Sequence, residues 1–253
     1  MDSLVVERSG AGLLTSAEIA AAAGRFTDRP PAELLAWAAE RFAGRVVFAT
    51  GFGAEGCVLI DIVARHGLGI DLVTLDTGLL FDETYALWRR LEERYGVVIQ
   101  AKRPKQTVYE QAQAHGDRLW ERDPDQCCAL RKVEPLESLL VGREAWITAI
   151  RRDQTRSRAF ARPVEPDSLH GLVKINPLLS WSAADVAAYV KNHDVPVNPL
   201  HERGYPSIGC APCTSPVAAG EDPRSGRWRG REKKECGLHA RAVPSLAVEA
   251  PRN

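Results

Sequence analysis

Short apolar runs alternate along the chain with longer segments of helical periodicity. Apolar runs of about four to eight residues predict buried strands, and apolar residues three or four positions apart predict amphipathic helices. The predicted strands lie within 45–50, 70–78, 97–102, 144–150 and 172–179. Two helices are predicted within 16–43, and further helices within 54–66, 82–96, 106–115, 131–140 and 182–193, with Ser16, Asp82 and Ser182 as N-caps.

This alternation predicts a Rossmann-like α/β fold, in which a parallel sheet is flanked by helices. We expect a nucleotide-binding domain over residues 1–200. Pro and Gly become frequent from Asn198 onward, which predicts a loop-rich C-terminal segment over 201–253. Because ligands bind such sheets outside the carboxyl ends of the strands, a site is expected at Thr50–Gly56, Leu75–Gly78 and Ile150–Arg158.

The stretch "TGFGAEG", residues 50–56, contains the spacing G-x-G-x-x-G after a predicted strand, which is typical of dinucleotide binding. Asp76 lies at about the right distance for the acidic residue that binds ribose in such proteins. However, Asp76 is followed by Thr77 and Gly78, which indicates a separate loop rather than a strand end. No Lys-Ser or Lys-Thr follows Gly56, so the stretch is not a P-loop either.

Overall charge and hydropathy narrow the class of protein. There are 33 basic and 33 acidic residues, so the net charge is zero, which argues against nucleic acid or a membrane surface as a partner. No apolar run reaches the roughly 18 residues of a spanning helix. The stretch "MDSLVVERSGAGLL" lacks the cationic segment and long apolar core of a signal peptide, so we expect a cytoplasmic protein.

Four of the six cysteines form two close pairs, Cys127-Cys128 and Cys210-x-x-Cys213. Four thiolates from two loops suit a zinc ion or an iron–sulfur cluster. Adjacent cysteines favour a 4Fe-4S cluster, because their side chains diverge and a cuboidal cluster offers separate iron corners. A zinc ion, or two unrelated pairs of buried thiols, remain open alternatives. Cys57, on the apolar face of a predicted helix, is interpreted as a core residue.

Cys236 lies in the polar stretch "REKKECGLH", where Lys233, Lys234 and His239 flank it. Nearby cations favour a thiolate, so Cys236 is a candidate nucleophile, although an exposed spare thiol fits the local sequence too. Arginines also cluster at 151–162 and 224–231. Their guanidinium groups match phosphate or sulfate oxygens, which indicates an anionic ligand.

Seven motifs together resemble the assimilatory adenylylsulfate (APS) reductases over residues 40–240: "TGFGAEG", "LDTGLLFDETY", "CCALRKVEPL", "AIRRDQTRSR", "GYPSIGCAPCT", "DPRSGRW" and "KKECGLH". The resemblance implies an adenine-nucleotide α-hydrolase-like parallel sheet. It also implies reduction of adenosine 5'-phosphosulfate by reduced thioredoxin, which yields sulfite and AMP. Such an enzyme acts without nucleic acid or membrane partners and could form a homo-oligomer.

The resemblance assigns roles residue by residue. Cys236 is the nucleophile that forms an S-sulfocysteine, and Lys132 and His239 share its catalytic surroundings. One 4Fe-4S cluster per subunit is implied on Cys127, Cys128, Cys210 and Cys213. The substrate-binding set is Thr50, Gly53, Leu75, Asp76, Thr77, Arg151, Arg158, Arg224 and Arg227.

The chain departs from the family at three places. Phe52 stands where many relatives have a small or polar residue, and Ala149 replaces a glycine that is often found there. The linker between Trp228 and Cys236 is shorter than in some relatives and lacks their run of tryptophans.

Two kinds of alternative enzyme have the same fold. A PAPS reductase would use the 3'-phosphorylated nucleotide, and a dual APS/PAPS reductase would use both nucleotides, but relatives restricted to the 3'-phosphorylated nucleotide generally lack the four cluster cysteines. A tRNA-thiolating enzyme would need an RNA-binding module, and none is evident.

Overall fold

The computed structural model describes residues 14–233 and 235–238, apart from the side chain of Ser157. These residues form one six-stranded sheet in the order β3-β2-β1-β4-β6-β5. Over the described part of the chain, we find no helix with the length and apolar character needed to cross a bilayer. The strands are β1 (Val46–Thr50), β2 (Asp71–Leu75), β3 (Ile99–Lys102), β4 (Ala145–Ile147), β5 (Val164–Asp167) and β6 (Leu172–Ile175).

Helices connect and cover the strands. The α-helices are α1 (Ser16–Phe26), α2 (Pro31–Arg41), α3 (Ala54–Arg65), α4 (Asp82–Tyr95), α5 (Val108–His115), α6 (Leu119–Arg122), α7 (Pro124–Cys128), α8 (Glu134–Leu140) and α9 (Ala183–His193). A π-helical turn, Ala129–Val133, joins α7 to α8. Short 3₁₀ turns lie at Arg152–Gln154, Arg156–Arg158, Pro199–Arg203 and Ala211–Cys213.

All neighbouring strands are parallel except β5, which pairs antiparallel with β6 at one edge. The α/β class is therefore confirmed, and the five predicted strands are present. The sequence did not predict β5. Its residues "VEPD" carry Pro166 and two acids, and a proline is tolerated there because the strand lies at the edge of the sheet.

Two predicted helix caps were wrong by one residue, and one was correct. The cap of α1 is Thr15, not Ser16, because Thr15 and Glu18 bond reciprocally in a capping box. The cap position of α4 is Phe81, and Asp82 instead begins the helix, where its charge suits the helix dipole. Ser182 caps α9 in a capping box with Asp185, as predicted.

Side chains of β1 alternate between two cores on opposite faces of the sheet. Val46 and Phe48 join the larger core, and Val47 joins the smaller one, in which Leu136 of α8 packs. Cys57 is fully buried in the larger core, which confirms it as a core residue, and burial raises the pKa of its thiol. The sheet is thus covered on both faces, as a parallel sheet requires.

Asp61 of α3 is a fully buried carboxylate within the larger core. It accepts hydrogen bonds from Arg65 Nε at 2.8 Å and from the hydroxyl of Tyr189 at 2.7 Å, which joins α3 to α9. Burial opposes its ionisation, but the hydrogen bonds outweigh this effect and lower the pKa of Asp61. The ionised group therefore contributes to the packing of two helices.

Asp61→Asn should lower the free energy of unfolding by about 1–3 kcal/mol near neutral pH, because it weakens charge-assisted hydrogen bonds to a buried group. Because folding lowers the pKa of Asp61, its ionised carboxylate stabilises the fold at pH values above its unfolded-state pKa of about 3.9. The difference from wild type should therefore shrink as the pH falls through the folded-state pKa. Urea unfolding at pH values from neutral to acidic measures this. Asp28→Asn, at an exposed position, is the control; an equal loss in both variants would contradict the assignment.

The glycine loop between β1 and α3 has a tight geometry. Thr50 Oγ1 accepts a hydrogen bond from the amide of Phe52 at 3.1 Å. Phe52 has a positive φ of 58°, is 1 % exposed and stacks on Trp88 with ring centroids 5.7 Å apart. Its side chain therefore belongs to the core. A Cβ on Gly56 would lie 2.6 Å from Thr50 Oγ1, so only glycine lets α3 start this close to the end of β1.

Gly56→Ala should destabilise the protein by about 1–2 kcal/mol, because the overpacking at Thr50 outweighs the gain in helix propensity of about 1 kcal/mol. Gly51→Ala is the matched control from the same loop, because no atom lies within 4 Å of its added Cβ. Urea unfolding of both variants compares them. A stabilised Gly56→Ala would show that the loop relaxes freely.

Candidate active site

The carboxyl ends of β1, β2 and β4 open onto one cavity of about 240 Å³. The glycine loop forms one wall of it, through Thr50, Gly53 and Gly56. The C-terminal segment forms another wall, through Trp228 and Cys236. The cavity therefore lies where the topology of a parallel sheet places a ligand, and segments far apart in sequence meet there.

Nine of the residues singled out in the sequence line this cavity. They come from the ends of β1, β2 and β4 and the loops that follow them, the π-helical turn and the C-terminal segment: Thr50, Gly53, Leu75, Thr77, Lys132, Arg158, Arg224, Arg227 and Cys236. Asp76 and Arg151 are not among the lining residues. His239 lies outside the described residues.

Asp76 is buried and directs its carboxylate into its own loop. It accepts hydrogen bonds from the Tyr85 hydroxyl at 2.7 Å, the Gly78 amide at 3.1 Å and Arg103 Nε at 3.0 Å. Burial opposes its charge, yet these bonds lower its pKa, while burial and the nearby carboxylate raise the pKa of Tyr85 to about 12. The Asp76 side chain thus fixes the backbone that presents Thr77 to the cavity.

Arg151 is similarly engaged outside the cavity lining. It is 8 % exposed and forms ion pairs with Glu55 at 3.5 Å and Asp153 at 3.2 Å. Its amide donates to Gln154, and Gln154 in turn contacts both Glu55 and Arg158. Arg151 therefore holds the loop after β4 against the first turn of α3.

Several positive side chains line the cavity. Arg158 and Arg227 are largely buried, and burial lowers the pKa of each guanidinium, although nearby anionic groups oppose this. Arg227 lies against the ring of Trp228, 4.6 Å from its centroid, and donates to the carbonyl of Ile208 at 3.3 Å. Gly209 permits this approach, because a Cβ there would collide with the guanidinium. The cavity is therefore built to receive an anion.

Glu235 lines the same cavity, and the sequence analysis did not identify it. Its carboxylate forms ion pairs with Arg158 and Arg224, each at 3.1 Å. A single acid beside Cys236 in a lysine-rich stretch gives no signal by itself. Only the fold brings it to arginines 77 and 11 positions away.

The four paired cysteines line a second, smaller cavity beside the first. Cys127 and Cys128 end α7, and Cys210 and Cys213 flank a 3₁₀ turn. Burial raises the pKa of Cys127, Cys128 and Cys213 to about 11 each. Within residues 14–233 and 235–238, no group of three or more His, Cys, Asp or Glu side chains is placed to hold a metal ion.

Polar groups contact these sulfurs from outside the small cavity. Thr77 Oγ1 lies 3.3 Å from Cys210 Sγ, and Gln111 Nε2 lies 3.9 Å from Cys127 Sγ. Buried Arg131 donates to the carbonyl of Thr77 at 2.5 Å and to Gln111 Oε1 at 3.1 Å. One hydrogen-bonded network therefore joins both cysteine pairs to a residue that lines the larger cavity.

Lys132 borders both cavities. It lies on the π-helical turn that directly follows the cysteine pair, and such turns occur frequently at functional sites. Burial opposes its charge, but the sulfurs of Cys210 and Cys236 favour it, and its pKa is raised overall. A charged ammonium group therefore lies between the cysteine cavity and the thiol of Cys236.

The residues that line the larger cavity are suited to one kind of reaction, a nucleophilic attack by a thiol. Cys236 offers a thiol to a cavity whose lining includes one lysine, three arginines and a glycine loop at a helix start. Such a thiol can attack an electrophile that itself carries negative charge, because the cations offset the repulsion and stabilise an anionic leaving group.

The chain is similar in sequence to known proteins that share one name. The chain is 49 % identical over 207 residues to adenosine 5'-phosphosulfate reductase 1 of Bacillus subtilis, which covers 81 % of this chain and 89 % of that protein. It is 46 % identical over 208 residues to adenosine 5'-phosphosulfate reductase of Oceanobacillus iheyensis, which covers 82 % and 87 %.

Solved structures agree with the fold. Phosphoadenylyl-sulfate (PAPS) reductase from Candida auris, in a phosphate complex, superposes with a TM-score of 0.73 at 32 % identity and covers 82 % of this chain and all of that chain. FMN adenylyltransferase from Candida glabrata, with FMN and an ATP analogue, has a TM-score of 0.54 at 15 % identity over 88 % of this chain and 78 % of that chain, which shows a shared fold alone. Residues 45–216 match the phosphoadenosine phosphosulfate reductase domain, and the chain belongs to that family.

Proposed function

We propose that this protein reduces adenosine 5'-phosphosulfate to sulfite and AMP, with Cys236 as the nucleophile. The observation that carries the proposal is the presence of Cys236, the glycine loop and three arginines in one cavity. Relatives that are 45–49 % identical over most of the chain are named adenosine 5'-phosphosulfate reductase, which supports the choice of substrate.

The glycine loop would bind the adenosine half of the substrate. The backbone between Thr50 and Gly53 approaches a ligand without obstruction from side chains, and Leu75 and Thr77 complete the wall. Asp76 and Arg151 would act through the loops that they hold, since their side chains are engaged elsewhere. The start of α3 adds the positive end of a helix dipole near the phosphate.

In the first step, the thiolate sulfur of Cys236 attacks the sulfate sulfur of the substrate. The bond from that sulfur to the bridging phosphate oxygen breaks, and AMP leaves with the electron pair. The new S–S bond makes Cys236 an S-sulfocysteine. Lys132, Arg224 and Arg227 would offset the negative charge on the sulfonyl group and on the leaving phosphate. His239 is retained as a predicted member of this set and lies outside the described residues.

In the second step, a reduced dithiol protein of the thioredoxin class would restore Cys236. One of its thiolates attacks Cys236 Sγ, and sulfite leaves with the electron pair of the S–S bond. Its second thiol then attacks the mixed disulfide and releases Cys236 as a thiolate. The dithiol is thereby oxidised to a disulfide, which supplies the two electrons that the reduction to sulfite needs.

Cys127, Cys128, Cys210 and Cys213 would hold one 4Fe-4S cluster. The donor set fits, because four thiols, three of them buried and that of Cys213 half-buried, line one cavity, and thiolates are the usual ligands of such clusters. A cuboidal cluster binds each thiolate at a separate iron, so its ligands need not converge on one ion. When bound, the cluster would contribute structural support and an electrostatic field near Lys132, and it would not pass electrons to the substrate.

Incubation with adenosine 5'-phosphosulfate and no reductant should give a covalent adduct with the mass of one SO3 group. Intact-mass spectrometry measures the adduct, and peptide mapping should place it on Cys236. Cys236→Ser should form none, because a hydroxyl at neutral pH is a far weaker nucleophile than a thiolate. Cys57→Ser is the matched control, because Cys57 is buried away from the cavity.

The same measurement with the 3'-phosphorylated nucleotide separates two candidate substrates. The similarity to a fungal PAPS reductase makes this nucleotide the relevant competitor. If the adduct forms faster with the 3'-phosphorylated nucleotide, that nucleotide is the substrate, and the proposal of adenosine 5'-phosphosulfate is wrong. An adduct that survives in Cys236→Ser would contradict the assignment of the nucleophile.

Protein purified without oxygen should be brown and contain about four irons per chain, one for each thiolate ligand. Cys210→Ser should lose most of the iron, because it removes a ligand from the small cavity. Cys236→Ser should keep both the colour and the iron, because Cys236 lines the other cavity. Iron analysis and absorption spectra measure this; stoichiometric zinc in place of iron would overturn the cluster assignment.

A further inference from the structure

Glu235 makes the same contacts with the cavity arginines that an anionic ligand would make. Its Oε1 lies 3.1 Å and its Oε2 3.2 Å from Arg158 Nη2, and Oε2 also lies 3.1 Å from Arg224 Nη2. The carboxylate thus bridges two guanidinium groups from distant parts of the chain. The two carboxylate oxygens of Glu235 contact two guanidinium groups, as two oxygens of a bound phosphate group would.

The two arginines need such an anion. Their side chains are only 13 % and 20 % exposed, and burial together with the nearby charge of Arg224 lowers the pKa of Arg158. Desolvated charges of like sign are costly unless an anion pairs with them. Glu235, itself 31 % exposed, pairs with both guanidinium groups and supplies an anion to them.

We propose that Glu235 is a positioning residue that occupies the anion subsite when no nucleotide is bound, and that the phosphate of the nucleotide displaces it. Because Cys236 follows directly in the chain, the same ion pairs hold the thiol in the cavity until substrate arrives. The identity of the displacing nucleotide rests on the proposed function, whereas the competition with Glu235 rests on the geometry of the site.

Displacement would free only a short piece of chain. Lys233 is paired with Asp125 of α7 and lies 5.3 Å from the ring centroid of Trp228. Neither contact involves the anion subsite, so Lys233 keeps both contacts when Glu235 is displaced. On the other side of the thiol, Gly237 has a φ of 83°, a backbone conformation that favours glycine. The residues around Cys236 are therefore the ones that change position.

The test uses Glu235→Gln, which keeps the shape of the side chain and removes its charge. Glu232→Gln is the matched control, because Glu232 is exposed in the same segment. The cluster-loaded proteins are compared in two measurements. Calorimetry gives the dissociation constant of AMP, and alkylation by iodoacetamide with peptide mapping gives the reaction rate of Cys236.

Glu235→Gln should bind AMP roughly three- to tenfold more tightly, because the partly exposed competing ion pairs are lost. Alkylation of Cys236 should speed up by a similar factor, since the same contacts hold the thiol in place. In the wild type, AMP itself should speed alkylation, and in Glu235→Gln it should add nothing. Glu232→Gln should behave as the wild type in every measurement.

Unchanged or weaker AMP binding in Glu235→Gln, or an unchanged alkylation rate, would overturn the proposal. Circular dichroism and iron content verify that the variant is folded. If it does not fold, the wild type decides alone: AMP that slows alkylation of Cys236, or leaves its rate unchanged, overturns the proposal. Neither readout depends on turnover, so a protein that forms no sulfite would contradict the proposed function and leave the role of Glu235 standing.

Discussion

Mutual repulsion among cations in one cavity is the constraint on which the rest of the site depends. Among the residues that the structure describes, four positive side chains line a space of about 240 Å³, and their desolvation is costly without opposing charge. The protein offsets that cost with Glu235, which pairs with two of the arginines, and with the sulfur atoms near Lys132. The cations involved are Lys132, Arg158, Arg224 and Arg227. The same cations favour the binding of an anionic ligand, which can take the place of one of the protein's own anionic groups.

The fold provides this arrangement by joining the loop-rich C-terminal segment to the sheet. Leu80, in the loop after β2, forms a bridge with Cys210, and the amide of Ala211 donates to the carbonyl of Leu79 at 2.7 Å. A second bridge joins Thr214 to Arg227. The segment that carries the CxxC pair is therefore held against a strand end, and it in turn holds an arginine of the cavity.

Much of the architecture could be predicted from the sequence, because buried parallel strands appear in it as apolar runs and helices appear as segments of helical periodicity. The strand β5 could not be predicted, because this edge strand contains Pro166 and has neither an apolar run nor a regular period. The caps of α1 and α4 lie one residue before the predicted positions. In α1, Thr15 and Ser16 are both suitable caps, and the local capping box with Glu18 selects Thr15. In α4, no side chain caps the helix, so the sequence offers no signal at Phe81.

In the candidate site, too, some residues could be predicted from the sequence and others could not. Residues in distinctive motifs, such as Cys236 and Thr77, line the cavity as their positions suggested. The resemblance assigns Asp76 to substrate binding, and its side chain bonds to Tyr85 and Arg103, partners that no local spacing reveals. Glu235 has no signal in the sequence for a related reason, because its ion pairs are with arginines far away in sequence.

The contact between Lys233 and Asp125 limits how far the reactive thiol can travel. Cys236 is three residues beyond that contact, and an extended chain spans about 3.3–3.6 Å per residue, so its backbone reaches about 10–11 Å at most. While Lys233 stays paired with Asp125, the thiol therefore remains near the cavity. A reductant that reaches Cys236 has to approach the mouth of the cavity, on the side of α7.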